Sequence, residues 1–129
     1  MTGERGRLGQ AGETEAERFL RAKGYTIVAR NYRSGAGEID LVALSRQTVV
    51  FVEVRSLSGP QFGDPLATVT PRKQRHIARV ALSYLSRHRL HDRAARFDVI
   101  GIRWQNDRGA KRPARITHIQ DAFELPSAY

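Results

Sequence analysis

The sequence predicts an α/β fold, a central mixed β-sheet flanked by α-helices. Three observations lead there. Two short runs, Gly37 to Leu44 and Val49 to Arg55, are aliphatic and β-branched with charge at alternating positions, the pattern of paired strands. Stretches of helical periodicity lie on either side of them, with apolar stripes Ala16, Phe19, Leu20 and Ile77, Val80, Ala81, Tyr84, Leu85. A further aliphatic run, Arg96 to Trp104, comes after the second helix, and a strand reached across a helix of that length joins the sheet parallel to a neighbour.

At 129 residues the chain is one domain's worth, with length for a core but not for two independent ones. It reads as a flexible polar segment over 1–9 and a single domain over 10–129. No apolar run approaches the roughly 20 residues that span a bilayer, and the first residues lack the apolar core of a signal peptide. Cysteine is absent, which excludes disulfides and thiolate zinc sites. A soluble cytoplasmic protein without a membrane partner is expected. The net charge of +9 and a pI near 11.0 call for a polyanion, nucleic acid above all. Of the 22 basic residues 19 are arginine, whose planar fork suits phosphate.

The first helix is expected from near Gln10 to Ala22 or Lys23, with Gly24 as its cap. Glu13 lies three residues before Ala16 and seven before Leu20, so it borders the apolar stripe and leans toward the sheet. Tyr25 to Arg33 reads as the first strand, its end carrying Arg30, Tyr32 and Arg33, and Ser34 to Gly37 is a turn.

The next two strands form a hairpin. With Arg46 and Gln47 as its turn, Ser45 pairs with Thr48, Val42 with Phe51, Asp40 with Glu53, and Glu38 with Arg55. Ile39, Leu41 and Ala43 then share a dry face with Val50, Val52 and Val54, while Glu38, Asp40, Glu53 and Arg55 gather at the far end of the other face. Two carboxylates opposed across strands at roughly 5 Å repel unless something positive lies between them. A guanidinium or a divalent cation would serve.

Ser56 to Pro65 is a glycine- and proline-bearing loop leaving the charged end of the strand, a place where loops carry function. Thr70 and Pro71 are the cap and first position of a helix running to about Arg87, with Arg72, Arg75 and Arg79 in a row on another face as candidate phosphate contacts. Asn106 to Pro113 reads as a basic turn and Ile116 to Ile119 as a short last strand. The histidines at 76, 88, 91 and 118 read as structural or surface groups, and no glycine-rich phosphate cradle or serine elbow is present.

An acid on one strand followed by Glu-x-basic on the next, here Asp40 and then Glu53-Val54-Arg55, is the layout of the PD-(D/E)xK nuclease superfamily. The ordered set is more specific: Gly9-x-x-Gly12-Glu13-x-x-Ala16, Arg30-Asn31-Tyr32-Arg33, Gly37-Glu38-Ile39-Asp40-Leu41, Phe51 to Arg55, Phe62-Gly63-Asp64-Pro65, Lys73, and Arg96 to Ile100. Across nearly the whole chain this resembles the YraN-type family of small bacterial endonuclease-like proteins, related in fold to archaeal Holliday-junction resolvases. The resemblance implies a restriction-endonuclease-like αβββαβ core and a metal-dependent nuclease ancestry. It implies Asp40 and Glu53 as ligands of Mg²⁺ (or Mn²⁺), with Glu13 reaching the same ion directly or through water.

Arg55 departs from that pattern, which has lysine there. Arginine stays protonated and cannot act as a base, but it can clamp a phosphate or stabilise developing charge. The expected function is thus an endonuclease on DNA, with branched or single-stranded forms as candidate substrates and Asp40, Glu53 and Arg55 at the chemistry. Arg30, Arg33, Arg72, Lys73, Arg75 and Arg79 would hold flanking backbone, and by analogy with resolvases a homodimer is a candidate assembly. The alternatives are a catalytically inactive nucleic-acid-binding module on the same fold, and an interaction protein whose basic surface docks on an acidic partner.

Overall fold

The hairpin at the centre of the chain sets the frame of the molecule. In the computed structural model, which describes residues 4–57, 63–107 and 109–124, β2 (Gly37–Ser45) and β3 (Thr48–Leu57) pair antiparallel from Ser45↔Thr48 through Val42↔Phe51 to Leu41↔Val52. Arg46 takes a positive φ of 57° to close the turn, a conformation that no asparagine or glycine here makes easy. β1 (Thr26–Ser34) pairs antiparallel with β2 on its outer side. On the inner side β3 runs parallel to β4 (Ala95–Asp107), which pairs antiparallel with β5 (Ala110–Phe123). The result is a five-stranded mixed sheet in the order β1-β2-β3-β4-β5.

Two helices cover it. α1 (Glu4–Ala22) starts earlier than its periodicity predicts. Its Ala16 and Leu20 are buried against Leu41, Ala43, Val50, Val52, Ile100 and Ile102. α2 (Pro71–Arg87) spans the predicted residues, with the Thr70 hydroxyl accepting from Lys73 N and Pro71 in the first turn. Its Ile77, Val80, Ala81, Tyr84 and Leu85 bury against Val42, Val49, Phe51 and Val99 on the opposite face. A 3₁₀ turn, Pro65–Thr68, capped by the Asp64 carboxylate, lies on β3, β4 and β5 beside α2.

The second face is therefore buried as well, and charge is confined to its end. Three layers require this, since a sheet with a helix on each side must be apolar on both faces. Ile39 departs from the expected alternation and enters the α2 cluster. Asn31, in the left-handed region at φ 50°, interrupts β1 alongside this stretch. The order α-β-β-β-α-β is that of the restriction-endonuclease-like fold. Among the described residues no helix is long and apolar enough to cross a membrane.

Candidate active site

The hairpin ladder does not continue to the expected Asp40–Glu53 and Glu38–Arg55 pairs; its last rung is Leu41↔Val52. Beyond that rung Asp40 uses its side chain where a backbone carbonyl would serve, Oδ2 accepting from Val54 N at 2.8 Å. The acids thus sit where the two strands part, and the gap is a cavity of about 300 Å³. Glu13, Asp40, Glu53, Arg55, Ser56 and Lys73 line it together with Gly9 and Val54.

Each element is placed for a local reason. α1 can approach because residue 12 is glycine: a Cβ there would lie 2.9 Å from Ser56 Oγ and 3.6 Å from Val54 Cγ1. That approach brings Glu13, the next residue, to the cavity. Glu13 Oε1 accepts from Asn31 Nδ2 at 2.9 Å, and the same amide donates to Glu38 Oε2 at 3.0 Å. Asparagine suits this position, since it tolerates positive φ and its NH₂ can donate to two acids at once. β3 supplies Glu53 and Arg55 to the α2 side, where the first turn of α2 delivers Lys73.

Four acids so close, with few cations among them, perturb one another. Asp40 is pushed up to about 7, first by burial and then by the charge of Glu53, against the stabilising Val54 N–H. Glu53, only 4 % exposed, is also raised by burial, with Lys73 and Arg55 opposing the shift. The two carboxyls act as a pair that retains a proton near neutral pH. Burial likewise raises Glu13, with the charges of Asp40 and Glu38 adding to the shift and its bond to Asn31 opposing it.

Glu53 Oε2 has two cationic neighbours, Lys73 Nζ at 3.5 Å and Arg55 Nη1 at 3.6 Å. Both separations are those of direct ion pairs at the long end of hydrogen-bond range. Arg55 is anchored elsewhere, its Nε donating to Thr68 Oγ1 at 2.9 Å, and Thr68 in turn donates to Pro65 O at 2.7 Å. The guanidinium is therefore fixed at the rim by the 3₁₀ turn. Among the described residues no three carboxylate or imidazole groups gather into a ready-made metal cage.

The remaining predicted residues lie outside the cavity. Glu38 turns to Asn31 and to Arg33 Nε at 3.3 Å, not to Arg55. Arg30 is held by Glu17 through a bond of 2.7 Å from Nε and a second from Nη2, so it ties β1 to α1. Arg72, Arg75 and Arg79 are exposed along α2. Phe62 and the loop residues 58–62 lie outside the described residues. The histidines have structural or surface places: His88 stacks on Tyr84, His118 bonds Asp98, His91 is exposed and His76 half-buried.

Sequence reasoning placed Lys73 among flanking phosphate contacts and gave no role to Asn31 or Thr68. A signal for Lys73 existed, since a helix capped at Thr70 aims its first turn at whatever precedes it. For Thr68 there was none.

Comparison with known proteins gives the family. A model described as "Uncharacterised protein family UPF0102" matches residues 12–102. A UPF0102 protein of Geotalea uraniireducens is 45% identical over 118 residues, covering 92% of this chain and 90% of its own length. One from Chlorobium phaeobacteroides is 44% identical over 117 residues, covering 90% and 93%, and one from Rhodopirellula baltica is 42% identical over 122, covering 93% and 72%. The matched span runs from the first-helix acid to β4 and contains every residue of the cavity except Gly9, and on this ground the chain belongs to the UPF0102 (YraN-type) family.

Proposed function

We propose that the protein is a divalent-cation-dependent endonuclease that hydrolyses phosphodiester bonds of DNA, with branched or single-stranded DNA as candidate substrates. The observation that carries this reading is the pairing of half-buried Asp40 with buried Glu53 in one cavity that also holds Lys73 and Arg55. Buried acids that cannot both ionise keep a proton where a cation would otherwise sit. Mg²⁺ needs only one or two carboxylates and retains several waters, so a two-acid site without a three-ligand cage fits it. Asp40 and Glu53 would hold the ion, and Glu13 would reach it directly or through water. Such an ion, when bound, offsets charge on the phosphate oxygens and lowers the pKa of a water.

The chain's own groups do the rest. Lys73 enters the cavity from α2 and can orient a water or donate to a phosphate oxygen. It thereby covers the role that the superfamily motif gives to a lysine at the position of Arg55. Arg55, held by Thr68, clamps a phosphate and stabilises charge that develops on it. The exposed row Arg72, Arg75 and Arg79 extends the positive surface along α2.

A second reading, a nucleic-acid-binding module without catalysis, draws on the same two cations. Lys73 and Arg55 already neutralise Glu53, which is what an inert ion-pair cluster requires. The test is incubation of branched, duplex and single-stranded oligonucleotides with Mg²⁺ or Mn²⁺. Cleavage by the wild type, with Asp40→Asn and Glu53→Gln binding DNA but not cutting it, supports the nuclease. Binding without cleavage of any form under either metal decides for the module.

A further inference from the structure

β4 and β5 are longer than the sheet they belong to. The parallel ladder of β3 with β4 ends at Leu57↔Arg103, yet β4 continues four residues to Asp107 and β5 returns from Ala110. The cross-strand pairs Trp104↔Pro113, Gln105↔Arg112, Asn106↔Lys111 and Asp107↔Ala110 therefore form a two-stranded ribbon to which no third strand pairs among the described residues. Four residues at about 3.3 Å each give it a reach of about 13 Å.

It projects from a particular end. β3 and β4 are parallel, so the ribbon leaves the sheet at the end of β3 that carries Glu53, Arg55 and Ser56. Its root is tied to that end, Trp104 Nε1 donating to Ser56 Oγ at 3.0 Å, and Ser56 lines the cavity. Among the described side chains of this stretch four are basic, Arg103, Lys111, Arg112 and Arg115.

Arg103, Arg112 and Arg115 are on the face of the site, and Lys111, opposite Asn106, is on the other. Ile102 and Trp104 pack into the α1 cluster, so alternation puts Arg103 and Gln105 on the α2 side, with Arg115 and Arg112 opposite them. That is the face that presents Glu53, Arg55 and Lys73. α2 covers β1 and β2, whereas the ribbon rises from β4 and β5. The cavity, between β2 and β3, thus has α2 with Arg72, Arg75 and Arg79 on one flank and the ribbon on the other.

We infer that the β4–β5 ribbon is an arm that grips duplex DNA beside the cavity, on the flank away from α2. The inference rests on the nucleic-acid reading above and adds the form of the substrate on one side of the site. A two-stranded ribbon is of a width that the major groove of B-form DNA admits, with its arginines and lysine against the bordering phosphates. Strand rise and spacing put Arg103 and Arg112 about 15 to 22 Å from Glu53. At 3.4 Å per base pair this is a duplex segment of about four to six pairs. Single-stranded DNA has no groove to seat the arm, so a junction or flap with its duplex limb on this side is the substrate form that uses both halves of the surface.

The experiment compares wild type, Lys111→Ala/Arg112→Ala and the control Arg87→Ala/Arg93→Ala, in which two exposed charges are removed at the other end of the sheet. Affinity for a 20-base-pair duplex and for a single-stranded 10-mer is measured across salt. The expected result is that the ribbon variant loses about two from the slope of log K against log salt on duplex, with the 10-mer within twofold of wild type. The control should keep the wild-type slope on both ligands. An unchanged duplex slope in the ribbon variant, or an equal loss in the control or on the 10-mer, overturns the arm while leaving the cavity reading intact. Arg112→Glu, whose added repulsion must weaken duplex binding further, checks the same point without relying on truncation. Failure of the wild type to bind either DNA overturns both readings together.

Discussion

Asp40→Asn should make the protein more stable, and by an amount that depends on pH. Asparagine copies the protonated acid, since its Oδ1 can accept from Val54 N while its amide donates toward Glu53. In the wild type the carboxyl is raised from 3.8 to about 7. A raised acid favours the folded state while protonated, and that advantage disappears as pH climbs from the unfolded value through the folded one. Three units at 1.36 kcal/mol each set a ceiling of about 4 kcal/mol. Because the proton is shared with Glu53, about 2 kcal/mol is the expected share of Asp40. The gap between variant and wild type should therefore be small near pH 4 and reach about 2 kcal/mol by pH 8. For a domain of this size that corresponds to a Tm difference of about 6 to 10 °C. Urea denaturation of both proteins in EDTA, at pH 4, 6 and 8, measures it. A variant less stable than wild type at pH 8, or a gap that does not grow with pH, would refute the strained-carboxylate argument. A stabilised variant that no longer cuts DNA would place Asp40 among residues kept for function at the expense of stability.

Other perturbations test the frame around the site. Asp98 is fully buried and accepts from His118 Nε2 at 2.7 Å, Arg96 Nε at 3.0 Å and Asp121 N at 3.0 Å. Burial pushes its pKa up, but the bonds from His118, Arg96 and Asp121 together hold it below 3.8. Its contribution is thus present above that value and lost as pH falls below it. Asp98→Asn should cost about 3 kcal/mol in urea denaturation at pH 7, and a loss under 0.5 kcal/mol would remove the network from the account of stability. Gly101→Ala would set a Cβ 2.3 Å from Pro65 Cγ and 2.7 Å from Pro65 Cβ. Since a proline ring cannot swing aside, the 3₁₀ turn must shift, costing about 2 kcal/mol and loosening the Thr68 hold on Arg55. Thermal unfolding within 1 °C of wild type would show that the turn is not packed as described.

Much of this arrangement is legible in the sequence where local rules govern it. Thr70 and Pro71 start α2 at the predicted residue and its apolar stripe is the buried one, because capping and periodicity act over a few residues. The hairpin register follows from the short link between Ser45 and Thr48, even though its turn forces Arg46 to positive φ. What fails is set by distant partners. The ladder ends before Asp40 because a side chain takes the Val54 N–H, and no pattern in β2 or β3 announces that substitution. Lys73 reaches Glu53 across 20 positions of sequence, and Arg55 finds Thr68 across a loop. The ribbon reads as a basic turn because it is polar and contains Pro113. An edge strand tolerates proline, and a ribbon whose outer residues are exposed needs no apolar alternation.

The most direct measurement is calorimetric titration of Mg²⁺ and Mn²⁺ into wild-type protein and Glu53→Gln, each alone and with a DNA duplex bound. The expected result is saturable binding to the wild type, strengthened when DNA supplies a phosphate and abolished in Glu53→Gln. Absence of metal binding by the wild type even with DNA present, or undiminished binding by Glu53→Gln, would contradict the assignment of Asp40 and Glu53 as the metal ligands of a nuclease.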